Sequence, residues 1–296
     1  MSDRRRVLTR RDFMRGTVGA VVGGSVAGAG PLGASTRSPR PPRSAQVVVV
    51  RDQRALNASH DVDVTVLREM LSETITRVTG QRSARAGWQS MFKPADVVGL
   101  VPTDHLNPTH GEVVEAVRAQ LIDAGIAADR IRNAQGGLDN ARRCTALIAL
   151  PALKAHWLTG MGTVLKLYIL YSGYPSRYHG ENNVNLGEIW NMPDVKGKTR
   201  LVLVDALRPL CDKGPQPDPR YLWDYRGLIA GTDPVAVEAV GLKIIMAKRQ
   251  ALRGEPWPLS PPPLSVAAAD EKFGLGTSRL SEITLQTYGW SQDALV

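Results

Sequence analysis

The chain has 296 residues, a formal net charge of +9, five histidines and two cysteines. Residues 1–44 hold nine arginines against Asp3 and Asp12, so +7 of that charge sits there and +2 remains for the rest. The basic balance is therefore a property of the N-terminal segment, which argues against nucleic acid as a partner of residues 45–296. Cys144 and Cys211 cannot supply a four-cysteine iron–sulfur cluster.

The N-terminus reads Thr9-Arg10-Arg11-Asp12-Phe13-Met14-Arg15, followed by a glycine-rich apolar run from Gly16 to Gly30 without an acidic residue. Basic, then apolar, then small is the order of a secretory leader, and the paired arginines make it a twin-arginine one. The expected partner is the twin-arginine translocase, and the expected location is periplasmic or extracytoplasmic. Six glycines in that run make a poor spanning helix, which favours cleavage over a retained anchor. The reading is a leader over 1–34, a Pro-, Ser- and Arg-rich linker over 35–44 and one domain over 45–296. No other apolar run approaches the length of a membrane span.

Strand and helix patterns then alternate. Four consecutive valines, Val47 to Val50, predict a buried strand over 45–51. Apolar spacing predicts a helix from Val62 to Thr79, ended by Gly80. A strand is expected over 97–101. Thr109-His110-Gly111-Glu112 has capping-box spacing, and the helix behind it places Val113, Val114, Val117, Leu121 and Ile122 on one face. Further expectations are a strand over 146–150, a helix around 163–170 and strands over 201–207 and 227–231. Asp233-Pro234 then starts a helix reaching to about Arg249. A short helix over 264–272 and a strand over 282–286 complete the pattern. Such alternation predicts an α/β fold with a largely parallel central sheet flanked by helices.

The densest chemistry lies in Leu150-Pro151-Ala152-Leu153-Lys154-Ala155-His156, with Lys166 and Tyr178-His179 beyond it. In open α/β sheets ligands bind outside the carboxyl ends of strands. An i, i+2 pair in an extended segment points both side chains one way, so Lys154 and His156 can face one ligand. The competing reading is a snorkelling lysine and a core histidine. Trp157, Tyr168, Tyr171, Tyr174 and Tyr178 surround this block as packing or as pocket walls. Asp205 closes an apolar strand and faces the crevice; Asp233 is most simply a helix cap. His60 and His105 read as exposed, Gly214-Pro215 as a turn, and the two cysteines as buried small hydrophobes rather than a bridge. No hydrolase elbow, Walker loop, dinucleotide fingerprint or zinc-protease motif occurs.

From Val97 to Ile283 the chain resembles the domain-of-unknown-function 362 family, in its twin-arginine-exported branch. The segments that carry the resemblance are Thr109–Val114, Leu150–His156, Lys198–Leu207, Gly214-Pro215, Gly231–Glu238 and Gly274-Leu275-Gly276. The resemblance implies an α/β domain whose polar motifs line one pocket: His110, Lys154, His156, Lys166, His179, Asp205, Asp233 and Glu238. Three positions depart from the family pattern. Val101 and Thr103 stand where a Lys-x-Asn is usual, Leu167 replaces an asparagine after Lys166, and Glu238 replaces an aspartate.

Two functions follow as expectations. One is an extracytoplasmic enzyme, metal-dependent or redox-linked, acting on a small anion. There His156, His179 and Asp205 would hold a divalent transition metal, Lys154 and Lys166 would act catalytically, and His110, Asp233 and Glu238 would bind a cofactor. The other is a non-catalytic binding or accessory protein using the same pocket.

Overall fold

The computed structural model describes residues Ser44–Val296, one compact unit. The expected leader, and the linker up to residue 43, lie outside the described residues. The first strand, β1 (Ala45–Arg51), buries all four of its valines. Helix α1 (Val64–Thr79) starts at Asp63, whose carboxylate accepts from the backbone N–H groups of Thr65 and Val66, and stops at Gly80 in the left-handed conformation. Helix α2 (Ala84–Met91), capped by Ser83, precedes β2 (Val98–Pro102).

Helix α3 (Gly111–Asp123) departs from the predicted capping box. The Thr109 hydroxyl donates to the Leu150 carbonyl (2.5 Å) and accepts from the Thr103 N–H, so His110 becomes the N-cap residue without a side-chain cap bond. The hydroxyl that would cap the helix instead ties the preceding loop to a strand end, and Glu112 stays in solvent. Ile122 is likewise 42% exposed, off the face formed by Val113, Val117 and Leu121.

Next come β3 (Ile131–Asn133), α4 (Leu138–Arg142) and β4 (Ala146–Leu150). After Pro151 the chain continues as β5 (Ala152–His156) and hairpins into the two-residue β6 (Gly160–Met161). The helix expected around 163–170 does not form; that stretch is turns ending in a 3-10 turn over Ile169–Ser172. Its backbone groups are taken by tertiary partners. Gly162 N–H donates to Lys154 O, the Val164 N–H to Glu238, and Leu165 O accepts from the Trp190 indole. A short α5 (Gly187–Trp190) leads to the long β7 (Thr199–Leu210) and β8 (Gly227–Gly231). Helix α6 (Pro234–Arg253), α7 (Leu264–Glu271) and β9 (Ile283–Gly289) end the chain.

The sheet runs β3-β2-β4-β7-β8-β1-β9, with β5 on the same edge of β7 as β4 and β6 beyond it. Pairings are parallel except around β8, which is antiparallel to β7 and β1, and in the β5–β6 hairpin. Alternate residues of each strand enter two cores. Val48, Leu100, Ile148 and Leu203 pack under α1, α2 and α3. Val47, Ala149, Val204 and Ile229 pack under α6 and the irregular stretch from 161 to 195. The result is a three-layer α/β/α domain as the alternation predicts. No helix among the described residues is long and apolar enough to cross a membrane.

Candidate functional site

The carboxyl ends of β2 and β4 lie side by side, and the loop from Thr103 to His110 leaves β2 between them. That loop is laced to the neighbouring chain: Thr103 Oγ1 accepts from Ala152 N–H, and Thr109 reaches Leu150 as described. Its tip, Leu106 and Asn107, has positive φ values of 52° and 62°. An unsupported non-glycine pair in that region is strained. Support comes from Lys154, whose Nζ donates to the carbonyls of Leu106 (2.6 Å), Asn107 (3.0 Å) and His105 (3.5 Å).

Beneath this loop a cavity of about 290 Å³ opens, into which Lys154, His156, Lys166 and His179 all project a face. The i, i+2 spacing in β5 thus brings Lys154 and His156 to one site, as expected. Burial, and then the Lys166 charge, push the Lys154 ammonium down to about 7. Its three carbonyl acceptors work the other way and favour the charged form. Burial pushes Lys166 down to about 8. No carboxylate or carbonyl among the described residues reaches its ammonium; the acid on the cavity wall, Asp104, is bound to His105.

The two imidazoles lie nearly parallel, 5.8 Å apart. His156 Nδ1 accepts the Leu158 N–H (3.1 Å), so in the neutral ring the proton is on Nε2. Burial, helped by the charges of Lys166 and Lys154, holds His156 neutral by lowering its pKa to about 3. His179 is lowered by burial and by Lys166, and its Nε2 is buried without a hydrogen-bond partner. His156 therefore offers a donor, not a lone pair. A metal-bound histidine normally does the reverse, donating its second N–H to a supporting acceptor.

Of the three expected metal ligands, His156 and His179 meet in the cavity, but Asp205 does not join them. Asp205 turns to the other side of the loop, where Oδ2 accepts from both the backbone N–H and the Nδ1 of His110 (2.7 Å each), and Oδ1 accepts from Leu207 N–H. Among the described residues no group of three or more His, Cys, Asp or Glu side chains could hold a metal ion. His110 and Asp205 form a buried-carboxylate dyad of their own. Burial alone would lower the imidazole's pKa, and Asp205 more than offsets this, so His110 is raised.

Asp233 and Glu238 also lie off the cavity. Asp233 caps α6 through Val235 and Ala236, and its other oxygen accepts from Thr277 N–H. A Cβ on Gly276 would stand 1.8 Å from that carboxylate, so the Asp-Pro and Gly-Leu-Gly motifs are packing partners. Glu238 is buried, and its Oε2 accepts from Val164 N–H (2.6 Å), two residues before Lys166. Burial raises its carboxyl to about 7. Glu238 thus positions the turn that carries Lys166.

Gly214-Pro215 has more than a turn's role: Pro215 lines the cavity and Gly214 O accepts from Trp157 N–H. Any Cβ on Gly214 would stand 2.0 Å from Ala155 O, so only glycine lets this loop lie against β5. Of the aromatics, Tyr168, Tyr171 and Tyr178 are packed inside, while Trp157 stands 61% exposed at the cavity rim. His60 is exposed but not unpartnered, since its Nδ1 lies 3.0 Å from Asp224. Cys144 and Cys211 are free and buried.

The molecule is thus an α/β domain with a basic cavity at the carboxyl edge of its parallel strands. Residues 111–243, the span from α3 into α6, match the model of the family described as Domain of unknown function (DUF362). No curated protein and no solved structure matches the chain significantly.

Proposed function

We propose that the protein binds a small anion in the cavity beneath the 103–110 loop and, on the strength of Arg10-Arg11 and the apolar run behind them, that it does so after export. The observation that carries this reading is Lys166: a largely buried ammonium without a counter-charge, beside a second buried lysine. Burying like charges together is unfavourable unless something negative enters with them. The His156 Nε2–H supplies a neutral donor next to them. Carboxylates and phosphates at millimolar concentration should raise the thermal midpoint, and Lys166→Met should abolish the rise. A panel of anions that leaves the wild-type midpoint unmoved would refute the proposal.

A catalytic variant of this reading rests on the same residue. An amine held near 8 exchanges its proton close to neutral pH, which suits a general base or nucleophile. Turnover of a bound acid that disappears in Lys166→Met, with binding of that acid retained in Lys166→Arg, would support it.

A further inference from the structure

The cavity's basic groups are gathered around Lys166, which acts electrostatically on Lys154, His156 and His179 alike. The remaining wall is largely apolar. Leu167 and Ile169 are buried against it, and Leu158, Leu170 and Pro175 continue it toward the rim at Trp157. The wall carries few other polar side chains: Asp104 is held by His105 and Gln135, and Thr103 Oγ1 accepts from Ala152 N–H. A ligand rich in hydroxyls would find few partners there and would lose its hydration. An inorganic anion would leave the leucine and isoleucine surface wet.

We infer that the pocket takes an organic monoacid with an apolar body, its carboxylate against Lys166 and the His156 N–H and its body against Leu167, Ile169 and Trp157. The inference rests on the anion-binding reading and adds the class of ligand to it. Trp157 is the expected contact at the rim, because an indole this exposed at a pocket mouth has a face for an apolar chain or ring.

The test is a ladder of straight-chain carboxylates from acetate to octanoate, with phenylacetate, inorganic phosphate and hexanamide beside it, titrated into the full-length protein. Each buried methylene is expected to tighten binding by about fourfold until the cavity is filled. Hexanamide should bind at least tenfold more weakly than hexanoate. Trp157→Ala, a change at an exposed site, should flatten the upper end of the ladder. A flat ladder, or phosphate binding more tightly than hexanoate, would overturn the apolar-acid inference while leaving an anion site. Carboxylate binding that is indifferent to Lys166→Met would overturn the site itself. Circular dichroism of the two variants confirms that they are folded.

Discussion

Nδ1 of His110 lies 2.7 Å from Oδ2 of Asp205, and the same oxygen accepts the backbone N–H of His110. The carboxylate is buried while the imidazole edge reaches solvent. Because the folded-state pKa of His110 is raised, the pair's contribution to stability is complete below the ordinary histidine value of about 6.5 and is lost as pH rises through the raised one. Asp205→Asn should therefore drop the His110 titration below that ordinary value, as burial and Arg208 then act against only Glu112. It should also cost ~1–3 kcal/mol of stability. Proton NMR of the ring across pH 5–9 reads the first effect, and urea unfolding the second.

Anion affinity should follow the charge on Lys166. Binding is expected to hold steady up to about pH 7 and to weaken by up to tenfold per pH unit beyond about 8. The ligand-free protein should show the opposite tendency in stability. Its lysine sheds a proton more readily than in the unfolded chain, so stability rises with pH between the lowered value and the ordinary one. Calorimetry in matched buffers from pH 6 to 10 checks both trends.

Glu238 gives a window on the acid side. Its folded-state carboxyl, at about 7, lies above the ordinary 4.5, so the folded protein holds the proton more tightly than the unfolded chain. Its contribution is complete below the ordinary value and is lost as pH rises through the folded one. At about 1.4 kcal/mol per pH unit the loss is on the order of 3 kcal/mol across that window. Glu238→Gln keeps an acceptor for Val164 N–H and should flatten this dependence. Equal slopes in variant and wild type would reassign it to other groups.

Lys154 and Lys166 should separate by readout. Lys154→Met removes the donor to three carbonyls of the 103–110 loop, so amide exchange there should accelerate at least tenfold. Lys166→Met touches none of those carbonyls and should leave loop exchange unchanged while removing anion binding.

Gly214→Ala places a methyl 2.0 Å from Ala155 O and should cost on the order of 2–4 kcal/mol. Thermal unfolding gives the cost. Reduced ligand affinity beyond the stability loss would show that displacing Pro215 distorts the cavity wall.

Where apolar periodicity decided the outcome, the sequence was a good guide. The valine run of β1, the capped start of α6 and strand β4 were legible because each is fixed by residues near in sequence. Lys154 and His156 were legible as a pair for the same reason, since alternation in an extended segment is local geometry. What escaped was settled by contacts across the fold. Thr109 has the spacing of a cap, yet its hydroxyl is claimed by Leu150, 41 residues later. The turns around Lys166 read as a helix because nothing nearby announces that Glu238 and Trp190 take their backbone bonds. Asp205 does sit at the crevice edge, but its partner is the histidine one helix start away rather than His156. A motif fixes residue types; which of them share a cavity depends on the side of the sheet each faces.

The placement of β1 has a consequence for the order in which the chain can settle. Ala45–Arg51 is hydrogen-bonded on one side to residues 227–231 and on the other to residues 283–289. Both partners lie far downstream, so β1 keeps two open edges until residue 231 has been made and one open edge until residues 283–289 follow. Such long-range pairing slows folding, and any product ending before residue 283 would leave one edge of the valine-rich β1 unpaired. Pairing along the outer edge of β1 is thus a local report that residues 283–289, more than 230 positions downstream, are in place.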